Sequence, residues 1–259
     1  MHFLLVIALA AAAKDTANTQ QRDTVFVEVG SPLIDASFFK PHAARVRIYR
    51  GDTLTAEWIN ELTLGDSAGR AVHRWVTTSQ PVPAFPNRVL TVLRQTYDAK
   101  TLAPLGYWTT AATGASTRLA IHGGKAVGAR RTVSDTTWQA VELQVPRLGF
   151  FAGASDLVPI AARLRIGTVM VAPVWSPATA ATVQERVFST TKDTVVNVEG
   201  TDVRSVKVEE RKREDRSLVA NWYLLLESPY MVYGEVPLPD GRIQRMTEVA
   251  VPPTNRDFP

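Results

Sequence analysis

The sequence of 259 residues predicts an all-β, mainly antiparallel fold. From Thr24 onward, short segments rich in Val, Ile, Thr, Trp and Tyr are separated by clusters of Gly, Pro, Asp and Ser, and runs with a helical period are almost missing. Residues 45–50 alternate, so that Val46 and Ile48 fall on one face of a strand and arginines on the other. One buried face and many hairpins predict a curved sheet or an open half-barrel.

The predicted strands follow one another at short intervals in two series. They are placed at 45–50, 54–64, 70–77, 89–97, 105–111, 117–122, 125–132 and 138–145, and then at 168–175, 184–191, 193–198, 203–210, 218–226, 230–236 and 242–251. Turn-forming residues lie between many of them, at 65–69, 123–124, 199–200, 228–229 and 239–241. Because these turns are short, neighbouring strands are expected to be antiparallel.

One short helix is predicted near 155–164, between the two series of strands. Four apolar residues recur there at helical spacing, namely Leu157, Ile160, Ala161 and Leu164. Ser155 is a candidate capping residue, and Asp156 would favour the positive end of the helix. Pro159 fits a helix only in its first turn, so the helix should start late or bend. The apolar stripe is expected to pack against the concave face of the sheet, as a fixed plug or a movable lid.

The two ends of the chain predict export and flexibility. Residues 1–13 are apolar, are too short for the ~20 residues of a membrane-spanning helix and end in three alanines, which is typical of a removable signal peptide. The alternative is a buried N-terminal helix. Residues 14–23 are expected to be a disordered linker, 24–251 a single β-rich domain and 252–259 a flexible tail. The predicted location is periplasmic or secreted, with no stable membrane anchor.

Cysteine is absent and the formal net charge is +4. Without cysteine the chain has no disulfide and no thiolate metal site. Basic residues are scattered along the predicted strands, and the dense cluster at 209–216 mixes both signs, which predicts a solvated hairpin tip. The sequence shows no basic stripe interleaved with aromatic residues, so no nucleic-acid partner is expected.

The segment 65–69, Gly-Asp-Ser-Ala-Gly, matches the G-x-S-x-G pattern that presents a nucleophilic serine in α/β-hydrolases. That turn needs a strand before it and a helix after it, whereas residues 70–76 have a strand-like composition. We therefore favour a five-residue hairpin loop. A serine hydrolase that uses Ser67 is the alternative function.

No metal, cofactor or acid–base site is predicted. The three histidines after the signal peptide show neither H-x-H nor H-E-x-x-H spacing: His42, His73 and His122. The glycines before Lys125 lack the pattern of a phosphate-binding loop and are expected in a hairpin. Glu209 and Glu210 would point to opposite faces of a strand, so they cannot act on one substrate.

Large aromatic side chains suggest an apolar ligand. The chain has six Trp and nine Phe, and the candidates for lining a cavity in the concave sheet are Phe38, Phe39, Phe150, Phe151, Trp108, Trp175 and Trp222. The alternative is that these residues form an ordinary sheet core. No individual residue is therefore assigned to ligand binding, and none to catalysis.

Four phrases stand out by their order and spacing, at 30–41, 97–105, 151–164 and 222–227. The second has an aspartate-x-x-Thr-Leu-x-Pro-Leu pattern, formed by Asp98, Thr101, Leu102, Pro104 and Leu105. Together they resemble an uncharacterised family of exported bacterial proteins, a domain of unknown function. The resemblance implies a curved antiparallel sheet, loosely similar to the lipoprotein carriers LolA and LolB, in which an open barrel and small helices enclose an acyl pocket. No functional residue of those carriers is matched.

These observations predict an exported, non-enzymatic binding or structural protein of the bacterial envelope. Its expected partner is an apolar or lipid-like ligand held in the concave sheet, or an envelope protein bound to its surface.

Overall fold

The computed structural model describes residues 24–86, 91–111, 113–135, 137–145, 147–177 and 182–253. The predicted signal peptide (1–13), the predicted linker (14–23) and most of the predicted tail (252–259) lie outside these residues. The described chain contains sixteen strands, a short 3-10 helix at Ala152–Ala154 and one α-helix, α1, at Leu157–Ala161. The strands are β1 (Thr24–Phe26), β2 (His42–Arg50), β3 (Thr53–Ser67), β4 (Arg70–Gln80), β5 (Val92–Asp98), β6 (Pro104–Thr110), β7 (Ser116–His122), β8 (Lys125–Arg131), β9 (Gln139–Gln144), β10 (Phe150–Phe151), β11 (Val169–Trp175), β12 (Gln184–Val198), β13 (Thr201–Lys212), β14 (Leu218–Leu224), β15 (Met231–Pro237) and β16 (Ile243–Val251).

The strands form one open sheet, which confirms the predicted all-β, mainly antiparallel fold. From edge to edge the order is β1-β11-β12-β13-β14-β15-β16-β2-β3-β4-β5-β6-β7-β8-β9, and β10 pairs with β11 beside this path. Strands β1 and β10 pair with β11 in parallel, and the other pairs are antiparallel.

The sheet curves until its two halves share one core. The ring centroid of Phe151 lies 5.4 Å from that of Tyr97 on β5, 5.9 Å from Tyr107 on β6 and 5.9 Å from Trp175 on β11. Strands β11 and β5 are nine positions apart in the sheet order, and in a flat sheet they would be roughly 40 Å apart at about 4.8 Å per strand. A single phenylalanine can bridge them only because the sheet wraps around it.

Alternation along each strand gives the sheet two faces with different environments. The face that we call the core face carries the cross-strand row Leu62, Trp75, Gln95 and Tyr107, all buried. Its apolar members belong to the main hydrophobic core, together with α1. The opposite face carries the intervening side chains, and we call it the groove face. In β2 the predicted alternation is confirmed, since Val46 and Ile48 are buried on the core face while Arg47 pairs with Glu57 on the groove face.

Helix α1 is shorter than predicted, and all five of its residues are buried. Leu157, Ile160 and Ala161 pack into the main core, and Leu164, which follows the helix, is partly buried against it. The predicted packing of this stripe against the sheet is confirmed. The predicted cap is wrong: Ser155 instead donates a hydrogen bond to Oε2 of Glu210 at 3.1 Å. Asp156 makes no side-chain capping hydrogen bond either.

Two strand boundaries differ from the prediction for identifiable reasons. Segments 184–191 and 193–198 form one strand, β12, because a register shift between Thr190 and Lys192 absorbs the residue that broke the alternation. The predicted five-residue loop at 65–69 is wrong as well, because β3 continues to Ser67, which pairs with Arg70. Ala68 (φ 54°) and Gly69 (φ 78°) form a two-residue turn, whose positive φ angles suit the twist of a hairpin.

Among the described residues, no helix is long and apolar enough to cross a membrane.

Candidate ligand-binding groove

A groove of about 1000 Å³ lies on the groove face of β3 to β8. The ligand cavity that the sequence predicts would lie on the concave face that holds α1, which is the other side of the sheet. There, α1 and the large aromatic side chains are packed in the main core. The groove is therefore the candidate site that the fold offers.

Two cross-strand rows of side chains form the floor of the groove. The strand register of the first row joins Glu61, Val76, Arg94, Trp108 and Arg118. The second row joins Thr63, Arg74, Thr96, Gly106, Ala120 and Val127. The residues at its centre have small side chains. All eleven residues line the groove. The small residues of the second row leave the space that larger side chains would fill.

Arginine and tryptophan side chains alternate at one side of the groove. The guanidinium carbon of Arg94 lies 4.0 Å from the ring centroid of Trp108. Beyond it, Arg118 lies 4.5 Å and Arg131 5.3 Å from the ring centroid of Trp138. Such cation–π contacts favour orientations in which each guanidinium lies over a ring. The sequence shows no basic stripe with interleaved aromatic residues, and the fold corrects this. These three arginines and two tryptophans come from separate segments of the chain, and the sheet brings them together.

The side chain of Arg74 on β4 reaches over the neighbouring strand β3. Its Nη2 donates a hydrogen bond to the backbone oxygen of Asp66 at 2.8 Å. A Cβ atom at Gly65 would stand 2.2 Å from Nη1 of Arg74, so glycine at this position leaves the space that the guanidinium occupies. The first glycine of the Gly-Asp-Ser-Ala-Gly segment therefore makes room for the side chain of Arg74. It does not form the turn that presents a nucleophile.

The lining of the groove is positively charged. It contains three arginines, Arg74, Arg94 and Arg118, and one acid, Glu61. Burial lowers the pKa of Arg94, since a charged group is less favourable away from water. Within the described chain, neither Arg74 nor Arg118 forms an ion pair. Two cations thus remain available on a surface that also exposes Trp108 and Val127.

The residues suggested by the hydrolase pattern are not brought together. Ser67 is exposed at the end of β3, and its hydroxyl has no hydrogen-bond partner among the described residues. His73 is buried on the core face, with Nε2 3.0 Å from the backbone oxygen of Ala36. His42 is buried, with Nδ1 3.1 Å from the backbone oxygen of Lys40, and His122 ends β7. Burial lowers the pKa of both His42 and His73.

The aromatic candidates separate into core and groove. Phe39, Phe150, Phe151 and Trp175 are buried in the main core, where Phe38 packs against it. Trp222 is half-buried and lies over Gly234, where a Cβ atom would stand 3.1 Å from the indole ring. Trp108, by contrast, lines the groove and is 37% exposed. Its position on β6 next to Arg94 could have been found from the sequence only with the strand register in hand.

Two carboxyl groups, those of Glu210 and Glu248, are buried on the core face. Glu210 accepts hydrogen bonds from Nε1 of Trp222 at 2.8 Å and from Ser155, and its Oε1 lies 3.8 Å from Nε of Arg186. The predicted solvated tip at 209–216 is therefore wrong for Glu210, which alternation turns inward, opposite to Glu209. Glu248 on β16 is also buried.

Removal from water raises the pKa of Glu210, of Glu248 and of the partly buried Asp156, which precedes α1. It raises the pKa of Glu210, although Trp222, Arg186 and Ser155 oppose the shift. It raises the pKa of Glu248 well above the ordinary value, with a further contribution from the charge of Asp156. Burial and the charge of Glu210 together raise the pKa of Asp156 to about 7. These carboxyls are not arranged as a metal site, since no group of three or more potential metal ligands exists among the described residues.

No family model matches the sequence, and no curated protein matches it. Among solved structures, the chain is similar to a beta-barrel-like protein of a domain of unknown function, DUF1849, from Brucella abortus. The identity is 12% and the TM-score 0.44, with 82% of this chain and 96% of that chain covered. At this level of likeness no family is assigned.

Proposed function

We propose that the protein is a non-enzymatic binding protein whose ligand is an amphiphile held in the groove on β3 to β8. The observation that carries this proposal is the groove itself, with its small-residue floor beside a row of arginine and tryptophan side chains. The volume of about 1000 Å³ is at the upper end of the range that is typical of small-molecule sites.

The lining suits a molecule with one apolar and one polar part. Val76, Ala120, Val127 and the ring of Trp108 offer apolar surface, and the arginines lie beside them. Burial of an acyl chain contributes about 0.8 kcal/mol per methylene group, so several methylenes in contact with this floor suffice for measurable binding. The site differs from the acyl pocket of the concave sheet that the sequence resemblance implied.

Filling the groove tests this function. Ala120→Trp places a large side chain on the exposed centre of the floor, and we expect it to lower the affinity for a fluorescent acyl-chain dye by at least about tenfold, which corresponds to about 1.4 kcal/mol. The control is Val195→Trp, at a 61% exposed position of β12 outside the groove, which should bind the dye like the unaltered protein. Equal dye binding by all three proteins would contradict the proposal.

We also propose that the protein acts outside the cytoplasm, in the periplasm or as a secreted protein. The support is the apolar stretch of residues 1–13 with its terminal alanines. N-terminal sequencing of exported protein should find a start close to Lys14, and an exported product that retains Met1 would contradict a cleaved signal.

A further inference from the structure

We propose that the groove binds a long-chain fatty carboxylate, whose head group pairs with Arg118 and whose chain lies over Ala120 and Gly106. This inference rests on the proposed function and deepens it, because it names the ligand class as a fatty acid and gives its direction in the groove. The head group lies at β7, and the chain runs across the floor towards Thr96 on β5.

Arg118 is the lining arginine whose donors are unused. The other two are engaged, since Arg94 is partly buried and lies over Trp108, while Nη2 of Arg74 donates a hydrogen bond to the backbone oxygen of Asp66. Arg118 is exposed and lines the groove. Among the residues that the structure describes, its N–H groups make no hydrogen bond or ion pair. They are therefore available to a ligand.

Two acids of this part of the sheet do not neutralise Arg118. Glu61, the acid in the groove lining, lies on β3, which is four strands away and roughly 19 Å along the sheet at about 4.8 Å per strand. That separation exceeds the Debye length of about 8 Å at physiological ionic strength. Glu142 on β9 is paired with Lys125 at 2.8 Å. The charge of Arg118 therefore favours a ligand that brings its own anion.

The contact of Arg118 with Trp138 suits a carboxylate. The guanidinium carbon of Arg118 lies 4.5 Å from the ring centroid of Trp138. Stacking uses the flat face of a guanidinium and leaves its N–H groups, which lie in the plane, available as donors. The fork of one arginine can bind both oxygens of a carboxylate. Arg118 alone is therefore sufficient for such a head group, and no second cation has to reach the same anion.

The floor beside Arg118 is open to an extended chain. Ala120 follows on the same face of β7, and the strand register places Gly106 and Thr96 next in line on β6 and β5. A Cβ atom at Gly106 would lie 3.5 Å from Cβ of Thr96, so the absence of a side chain leaves a shallow trough between the strands. On the other side of Ala120, Val127 is 45% exposed. Apolar surface thus begins directly beside the cation, which is the order of groups in a fatty acid.

A fatty acid fits this surface better than a single-stranded nucleic acid. Nucleic-acid platforms need open aromatic faces on which bases stack. Here Arg94 lies over Trp108, and both Arg118 and Arg131 lie against Trp138. The adjacent floor is formed by small and aliphatic side chains, which suit an alkyl chain.

The test is displacement of a fluorescent acyl-chain dye by amphiphiles that share a dodecyl chain and differ in the head group. The competitors are dodecanoate, its glycerol monoester and dodecyl phosphate, each below its critical micelle concentration, and an oligothymidine. At pH 8 the carboxylate is ionised, and we expect dodecanoate to bind at least about fivefold more tightly than the uncharged monoester, the effect of one partly exposed ion pair. Dodecyl phosphate should bind no more tightly than dodecanoate, because one arginine fork engages two oxygens of either group.

Two substitutions separate a contact from a general effect of charge. Arg118→Gln should abolish the preference for dodecanoate and leave the affinity for the monoester unchanged. The matched control is Arg131→Gln, since Arg131 lies 5.3 Å from the same Trp138 ring but is not part of the groove lining. This variant should keep the preference. An equal loss in both variants would overturn the pairing of the head group with Arg118.

The remaining outcomes distinguish this inference from the proposed function. Equal affinity of the unaltered protein for dodecanoate and the monoester would overturn the fatty carboxylate and leave an amphiphile-binding groove standing. Failure of the protein to bind the dye or either of these amphiphiles would overturn both proposals together. Binding of dodecyl phosphate about tenfold more tightly than dodecanoate, or displacement of the dye by oligothymidine, would also contradict the assignment to a fatty carboxylate.

Discussion

Leu157→Asp is expected to destabilise the protein by about 4 kcal/mol. Leu157 is 2% exposed at the start of α1 and belongs to the main core. An aspartate there would bury an unpaired charge, which is among the most costly single changes. The nearby carboxyl groups of Asp156 and Glu210 would increase the cost. Urea unfolding monitored by tryptophan fluorescence measures the effect as a lower midpoint.

The result distinguishes a fixed plug from a movable lid. Because all five residues of α1 are buried, we expect a plug, in which the substitution lowers stability even in the absence of ligand. Ile166→Asp is the control, since Ile166 is 52% exposed shortly after the helix and should change stability by no more than about 0.5 kcal/mol. If Leu157→Asp were as stable as this control and only dye binding changed, α1 would be a lid.

Asp156→Asn is expected to stabilise the protein at pH 8 by about 2 kcal/mol and to have little effect at pH 4. The pKa of Asp156 is raised to about 7, chiefly by burial. A raised pKa means that the folded state binds a proton which the unfolded state releases near its ordinary pKa of about 3.9. Stability is therefore greatest below about pH 4 with respect to this group and is lost as the pH rises through 7.

The size of the effect follows from the same linkage. A rise of the pKa from about 3.9 to about 7 would correspond to about 4 kcal/mol, but Asp156 is only partly buried, so we expect about half. Urea unfolding across pH 4 to 8 should give a flatter profile for Asp156→Asn than for the unaltered protein. Asp193→Asn, which removes an exposed carboxylate on β12, is the control and should keep the original slope. Parallel profiles for all three proteins would show that Asp156 does not titrate in this range.

The fold class was accessible from the sequence because alternation is a local signal. Val46 and Ile48 are buried and Arg47 is turned to the other face, as the pattern of β2 predicts. Local signals do not determine how far a strand continues through an irregularity, which is why the sequence predicts two strands where β12 continues through its bulge. Strand alternation also predicts that Glu210 and Glu209 point to opposite faces. The burial of Glu210, however, depends on the segment around α1 and on Trp222, which alternation does not reveal.

The groove could not be predicted for a related reason. Arg94, Trp108 and Arg118 occupy consecutive strands, and only the register of three hairpins places them opposite one another. In the G-x-S-x-G pattern, Gly65 has a structural role because it leaves space for the guanidinium of Arg74. The aromatic candidates were mostly core residues, as the alternative interpretation held, and Trp108 differs from them by facing away from the core.

Photocrosslinking would show directly where a bound amphiphile lies. The protein would be irradiated with a fatty acid that carries a diazirine in its acyl chain, and the labelled peptides would be identified by mass spectrometry. We expect labels on the groove face of β5 to β8, at residues such as Thr96, Ala120 and Val127, and loss of these labels in Ala120→Trp. Labels concentrated on α1 or on Phe150 and Phe151 would place the ligand in the concave core and contradict binding in the groove.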